Sequence, residues 1–196
     1  MLQNFESIVL IWLGIGFITF ITLLKIPAPY GKFSKTNWGP MIPSKLGWIV
    51  MEIISPLALL YFFLNGNIEK TPTNITFISL WTLHYFNRSV IYPLRQNNPA
   101  QMPLIIAVLA FLFNVMNGYI NGTYFGSIQE YSAEYMSNWN FIVGVCLFIF
   151  GAYINIKSDN ILLSLRSKSG EYKIPEGFMF RYCLLYTSDA ADDRDS

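Results

Sequence analysis

The chain has 196 residues, of which 53% are hydrophobic and only 13% are charged. About a quarter of the residues in a soluble domain are charged, so the composition argues against a soluble globular protein. The net charge of +1 gives no indication of nucleic-acid binding. Two cysteines, Cys146 and Cys183, provide neither a disulfide framework nor a cysteine metal site.

Five apolar segments are predicted to cross a membrane as helices, because each approaches the length that a ~30 Å hydrocarbon core requires. They lie at about residues 8–24, 46–64, 74–91, 103–125 and 139–156. The first lacks a basic leading region and is interpreted as a transmembrane helix rather than a signal peptide. The third is the least apolar. The predicted fold is an all-α, polytopic transmembrane helix bundle.

Basic residues indicate one orientation for these spans, since positive charge concentrates on the cytoplasmic side. One side of the predicted bundle carries eleven of them: Lys25, Lys32, Lys35, Lys45, Arg88, Arg95, Lys157, Arg166, Lys168, Lys173 and Arg181. The other side carries only Lys70. The N-terminus is therefore predicted to be lumenal and the segment after the fifth span cytoplasmic.

The second and third spans carry ionisable residues, which are costly inside a membrane and therefore indicate a functional site. Glu52 lies near the start of the second span, and His84, Tyr85 and Arg88 lie near the end of the third. Because the two spans run in opposite directions, these residues are expected at similar depths near the cytoplasmic face. Polar residues also end the fifth span at that level: Asn155, Ser158 and Asp159.

The fourth span carries two further patterns. Gly118 and Gly122 form a G-x-x-x-G spacing, which allows two helix backbones to approach closely. Asn114, Asn117 and Asn121 share one helical face, and amides that face lipid are costly. We expect this face to point towards a polar interior or a partner helix, and both interhelical hydrogen bonding and cavity lining remain open.

Each candidate also has a purely structural interpretation. Glu52 could form a buried ion pair with Arg88, Tyr85 could be an interfacial anchor, and Asp159 could cap a short helix at 161–166. A single histidine and scattered carboxylates make no metal-ligand cluster, so no metal is expected. The sequence has no glycine-rich loop of the soluble nucleotide-binding folds. The residues alone predict a membrane enzyme or transporter with a polar site facing the cytoplasm.

The sequence resembles the steroid 5-alpha-reductase family (3-oxo-5-alpha-steroid 4-dehydrogenases). The similar segments follow the family order from residue 29 to about 182. They are PYGKFS at 29–34, WIVME at 48–52, LHYFNR at 83–88, YPL at 92–94, MPL at 102–104, NGY at 117–119, GAYINIKSDNIL at 151–162 with Arg166, and YKIPEG at 172–177.

The resemblance implies an endoplasmic reticulum enzyme that uses NADPH to reduce the 4,5 double bond of 3-oxo-Δ4 steroids by hydride transfer to C5. It implies that Glu52 and Tyr85 hold the 3-keto oxygen of the substrate, and we expect Glu52 to be neutral when it does so. The residues implied to contact NADPH are Arg88, Asn155, Asp159, Arg166 and Tyr172. The residues assigned to the substrate cavity are Trp48, Asn114 and Asn117.

The chain departs from the family in two ways. Family members often have histidine where Lys157 stands and glutamine where Met51 stands, which leaves the identity of the substrate open. They also continue through two more helices, so five of an expected seven spans are present. Residues 183–196 are small, acidic and unlike the rest, and are interpreted as a non-native tail. We expect an incomplete reductase-like domain over residues 1–182, which could be inactive alone.

Two related enzyme classes share the fold and the cofactor, namely polyprenol reductases and trans-2-enoyl-CoA reductases. The HYFNR run followed by YPL favours the steroid branch. An alternative of a different class is a small membrane transporter or assembly subunit, but the chain has no inverted repeat of the kind that transporters often carry. The expected partners are a steroid substrate and the lipids of the membrane.

Overall fold

The computed structural model describes residues 2–26, 38–96, 101–166, 175 and 177–181. The chain divides into two compact units, the first comprising residues 1–93 and 99–135 and the second residues 94–98 and 136–196. This division falls within the single domain expected over residues 1–182, which stays a prediction. Helices dominate the described residues, which confirms the predicted all-α class.

The first unit contains four long helical segments and one small sheet. Helix α1 is Leu2–Leu23, α2 is Ser44–Leu64, α3 is Pro72–Phe86, and α5 is Leu104–Thr123. A π-helical turn, Asn87–Ile91, joins α3 to the short α4, Tyr92–Leu94, and a second π turn, Tyr124–Ile128, extends α5. The 3₁₀ helix Ala133–Ser137 begins in this unit, which ends at residue 135. Strands β1, Met41–Pro43, and β2, Gln101–Pro103, form an antiparallel pair.

Four of the five predicted spans are confirmed as helices long and apolar enough to cross a membrane. They are Gln3–Leu23, Ser44–Leu64, Leu104–Ile128 and Trp139–Leu165. The third predicted span, 74–91, is helical but is not among these four, so its crossing of the membrane stays a prediction. Its polar residues, which include His84, Asn87 and Arg88, lower the hydropathy of the segment.

Helices α2 and α5 run parallel and pack with their backbones in contact. Both begin directly after the strand pair, in which Ile42 lies opposite Met102. A Cβ atom at Gly118 would lie 2.8 Å from the Leu59 amide nitrogen, and one at Gly122 would lie 2.6 Å from the Leu59 carbonyl oxygen. The glycine spacing therefore serves close helix packing, as predicted.

Helix α3 runs antiparallel to α5 and is fixed at its first turn. Thr71 caps the helix by accepting a hydrogen bond from the Asn74 amide at 3.2 Å. The fully buried Asn74 side chain donates to the carbonyl oxygens of Phe125 (3.0 Å) and Gln129 (3.1 Å), and its own oxygen accepts from the Tyr131 amide (3.3 Å). We call this hydrogen-bonded cluster the clasp. Because the clasp sets the start of α3, it also sets the level that Tyr85 reaches.

The second unit is built on α6, Trp139–Arg166, with a 3₁₀ helix at Phe178–Arg181. Helix α6 continues without a break through residue 159, so the separate helix at 161–166 capped by Asp159 is wrong. The reason is local, since residues 152–166 contain neither glycine nor proline to end a helix. Within this unit Arg95 donates a hydrogen bond to the Asn160 side-chain oxygen at 2.6 Å.

Candidate active site

The Tyr85 hydroxyl lies between two amide side chains of α5. It donates to the Asn114 side-chain oxygen at 3.4 Å and accepts from the Asn117 side-chain nitrogen at 3.3 Å. Its ring stacks on Trp81, with ring centroids 5.3 Å apart. Both hydrogen bonds are longer than the 2.5–3.0 Å usual for a hydroxyl bonded to oxygen or the 2.7–3.2 Å usual for an amide donor. The ring is therefore firmly placed, whereas the hydroxyl is loosely bonded.

The amides around Tyr85 continue as a chain that joins three helices. Asn121 donates to the side-chain oxygen of Asn117 at 3.1 Å. At the other end of the chain, Asn114 is 5% exposed and donates to the Met51 carbonyl oxygen of α2 at 2.7 Å. Interhelical hydrogen bonding, one of the two interpretations left open by the sequence, is therefore present, and cavity lining stays a prediction for Asn114 and Asn117.

Glu52 follows Met51 in α2 and is half-buried. The Asn114 side chain thus links Tyr85 to the turn of α2 that carries Glu52. Arg88 is the charged group that acts electrostatically on Glu52. The structure thus connects Tyr85, Arg88 and the turn that carries Glu52, whereas their position at the cytoplasmic face stays a prediction. A phenol and a carboxyl at one level can both act as hydrogen-bond donors to a substrate oxygen, provided that the carboxyl is protonated.

Arg88 lies against two aromatic rings. Its guanidinium carbon is 4.8 Å from the ring centroid of Trp48 and 4.8 Å from that of Tyr92, and these two rings meet edge-on at 5.8 Å. Contacts of this kind hold a cation in place through the negative faces of the rings. Trp48 therefore holds Arg88, and its place in the substrate cavity stays a prediction.

Sequence reasoning missed the π turn at Asn87–Ile91 and the role of Tyr92. In this turn the Tyr92 amide bonds the Asn87 carbonyl, five residues back rather than four. Pro93 has no amide hydrogen, so the carbonyl of Ser89 lacks its usual donor next to the turn. Pro93, which closely follows the polar residues Asn87 and Arg88, was the sequence feature that could have indicated an irregular turn here. Single π turns within helices often occur at functional sites.

Helix α6 of the second unit carries Asn155, Asp159 and Arg166 of the predicted cofactor set. The side-chain oxygen of Asn155 is buried and has no hydrogen-bond partner among the described residues. Asp159 is buried at 7% exposure, and Arg166 is the last residue of the helix. Lys157 donates to the Tyr153 hydroxyl at 3.1 Å and lies 4.6 Å from the Phe178 ring centroid. Tyr172 lies outside the described residues.

Comparisons with known proteins identify the family. Residues 100–187 match the family described as 3-oxo-5-alpha-steroid 4-dehydrogenase. A steroid 5-alpha-reductase of Gossypium hirsutum is 38% identical over 170 residues, covering 83% of this chain and 65% of the relative. One of Arabidopsis thaliana is 36% identical over 187 residues, covering 89% of this chain and 70% of the relative. This chain belongs to the steroid 5-alpha-reductase family. The 3-oxo-5-alpha-steroid 4-dehydrogenase 1 of Bos taurus is a further relative. It is 32% identical over 177 residues, which cover 86% of this chain and 68% of the relative.

Membership of this family makes the chain part of an oxidoreductase and decides against the transporter or assembly-subunit alternative. The chain spans about two thirds of the length of these relatives, from 65% to 70%. The family match ends at residue 187 and so includes residues 183–187 of the expected tail. The tail boundary at 182 stays a prediction.

Proposed function

We propose that the full-length protein carrying this chain reduces the 4,5 double bond of a 3-oxo-Δ4 steroid with NADPH, in the endoplasmic reticulum membrane with its N-terminus lumenal. One observation carries the proposal. In a chain of the steroid 5-alpha-reductase family, Tyr85 has a firmly placed ring and a loosely bonded hydroxyl, and Asn114 links it to the turn that carries Glu52.

Tyr85 and Glu52 stabilise the charge that develops on the substrate. When C5 of the enone accepts a hydride, negative charge moves to the 3-oxygen, and C4 then takes a proton. Donors already aimed at that oxygen lower the barrier most where water is excluded. The Tyr85 hydroxyl is one donor, and the Glu52 carboxyl, held neutral, is the second.

Asn114 and Asn117 prepare the Tyr85 hydroxyl for this role. The donation from Asn117 occupies a lone pair of the Tyr85 oxygen, which leaves the hydroxyl hydrogen available for an acceptor. Before substrate binds, that acceptor is Asn114. Because this bond is 3.4 Å long, exchanging it for a bond to a steroid ketone costs little.

NADPH supplies the hydride when it is bound. The residues that we propose to hold it are Arg88, Asn155, Asp159, Arg166 and Tyr172. Their chemistry fits the cofactor, since arginine pairs with phosphate oxygens. The buried Asn155 oxygen is an acceptor that can take a ribose hydroxyl or a carboxamide N–H.

The proposed substrate class is tested by an assay on microsomes that contain the full-length protein. We expect NADPH oxidation with a 3-oxo-Δ4 steroid and none with a trans-2-enoyl-CoA or a polyprenal. Turnover of either of the latter in place of the steroid would assign the protein to a different reductase class.

The role of Glu52 is tested by Glu52→Gln, which removes the acidic proton and keeps the shape of the side chain. We expect turnover to fall about 100- to 1,000-fold, the cost of losing one donor to a developing oxyanion. Glu69→Gln is the matched control, because Glu69 is exposed in the connection before α3. Full turnover by Glu52→Gln would show that Glu52 is not the proton-bearing donor.

A further inference from the structure

An apolar groove lies on the first unit between α2 and α3, and we call it the α2–α3 groove. Its volume of about 530 Å³ falls within the roughly 300–1,000 Å³ typical of small-molecule sites. Its apolar walls come from the last turns of α2 and from one face of α3: Leu60, Phe63, Leu64, Ile75, Ile78 and Leu83. Neither Glu52 nor Tyr85 lines it, so it is separate from the candidate active site.

The mouth of the groove lies at the depth of lipid head groups. Helix α2 has 21 residues, which at 1.5 Å per residue is about 31 Å, close to the ~30 Å hydrocarbon thickness of a bilayer. Lys70 lines the groove and lies in the connection between Leu64, where α2 ends, and Pro72, where α3 begins. The remainder of the groove follows α3 from this level towards the middle of the membrane.

The Lys70 ammonium group is anchored over the groove by two backbone carbonyl oxygens. It donates to the carbonyl oxygens of Gly66 (2.7 Å) and Ile68 (2.8 Å) and lies 5.4 Å from the Phe63 ring centroid. Two of its three hydrogens are therefore used, and neither of these two acceptors carries a negative charge. Within residues 2–26, 38–96 and 101–166 no carboxylate forms an ion pair with it, including that of its exposed neighbour Glu69.

We propose that the α2–α3 groove binds an acidic glycerophospholipid, with the phosphate on Lys70 and one acyl chain along α3. A partly buried cation beside the hydrocarbon region is costly unless an anion pairs with it. A phosphate supplies that charge and accepts the remaining N–H in a charge-assisted hydrogen bond. The apolar walls below Lys70 suit an acyl chain. The proposal is independent of the reductase activity.

The test uses the full-length protein in lipid nanodiscs and a phosphatidylglycerol with a photoactivatable acyl chain. We expect crosslinks within residues 60–83. Lys70→Gln is expected to lower this labelling about fivefold, the contribution of one basic residue near an acidic membrane surface. Lys70→Arg should retain it, because the charge remains. Lys45→Gln is the matched control, since it removes one positive charge at the opposite end of α2.

A second variant tests the groove itself rather than the charge. Ser79 is a small, exposed residue that lines the groove, so Ser79→Phe should block labelling of residues 60–83 while Lys70 is intact. Equal labelling by phosphatidylcholine, or unchanged labelling of Lys70→Gln, would overturn the assignment of the head group. Displacement by a neutral sterol would assign the groove to sterol instead. Absence of crosslinks in residues 60–83 would show that another protein segment covers it.

Discussion

The two ends of α3 both place polar side chains inside the helix bundle, but they do so differently. At the clasp, the buried Asn74 side chain makes three hydrogen bonds of 3.0 to 3.3 Å, all to backbone groups. At the other end, the half-buried Tyr85 hydroxyl makes bonds of 3.3 and 3.4 Å, both to side chains. Both N–H groups of Asn74 are used by backbone acceptors, whereas Tyr85 can exchange its partner.

This difference indicates that the Asn74 end of α3 serves stability and the Tyr85 end serves chemistry. Buried amides that bond to backbone fix the relative positions of elements, and their loss leaves several buried groups unsatisfied. A hydroxyl held by long side-chain bonds contributes little to folding and can bind a substrate at small cost. We therefore expect substitutions at the clasp to affect folding and substitutions around Tyr85 to affect turnover.

Tyr85→Phe should have the largest effect, and it should fall on activity alone. Turnover is expected to decrease about 100- to 1,000-fold, because one donor to the developing oxyanion is lost. The melting temperature should hardly change, since the ring still stacks on Trp81 and the lost bonds are long. Steady-state kinetics and thermal unfolding of the full-length protein measure both. Tyr61→Phe, at an exposed tyrosine of α2, is the control.

Asn74→Ala should have the opposite outcome. The free energy of unfolding is expected to fall by about 3 kcal/mol, since two carbonyls and one amide lose their partner. Turnover per folded molecule should remain close to that of the wild type. Denaturant unfolding in detergent measures the first quantity, and Asn67→Ala, at an exposed asparagine of the connection before α3, is the control. A loss of turnover without a loss of stability would contradict the assignment of a structural role to the clasp end of α3 and a catalytic role to the Tyr85 end.

The sequence predicted those parts of the fold that depend on local composition. Four apolar runs identify four spans, because a helix is one of the few structures that satisfy all of their backbone hydrogen bonds internally within the hydrocarbon of a membrane. The spacing of Gly118 and Gly122 predicted a close contact, which the structure places against Leu59. Counting residues along α2 and α3 predicted that Tyr85 lies level with the turn of α2 that carries Glu52, and Asn114 links the two.

The roles of individual amides were not predictable in the same way. Asn74 and Asn114 both lie in apolar helices, and the cost of an unpaired amide is the same for both. Which of them serves the fold depends on whether its partners are backbone groups of a distant connection or a reactive side chain. That information resides in tertiary contacts such as those of Asn74 with Phe125 and Gln129, more than fifty residues away.

Gly118→Ala tests whether the stability of the bundle and the position of Tyr85 depend on the same contact between α2 and α5. The added methyl group would meet backbone atoms of α2 at 2.8 Å, namely the Leu59 nitrogen and the Ser55 oxygen, so α5 must move. We expect the free energy of unfolding to fall by about 1–3 kcal/mol. Turnover should fall as well, because Asn117, which donates to the Tyr85 hydroxyl, directly precedes Gly118 and would move with it. Gly14→Ala is the control, since no atom of the described residues lies within 4 Å of its added Cβ. Unchanged turnover would show that Tyr85 is positioned independently of the α2–α5 contact.

Arg88→Lys should have the smallest effect, because it keeps the charge and removes only the flat guanidinium that lies against Trp48 and Tyr92. Such contacts contribute about 0.5–1 kcal/mol each at exposed positions, so we expect the KM for NADPH to rise about two- to fivefold. Arg95→Lys is the matched control outside the proposed cofactor set. Trp48→Leu should raise the same KM, and the double variant should add little, because the two residues act through one contact. A rise in the KM for the steroid alone would instead place Arg88 on the substrate side, as the electrostatic partner of Glu52.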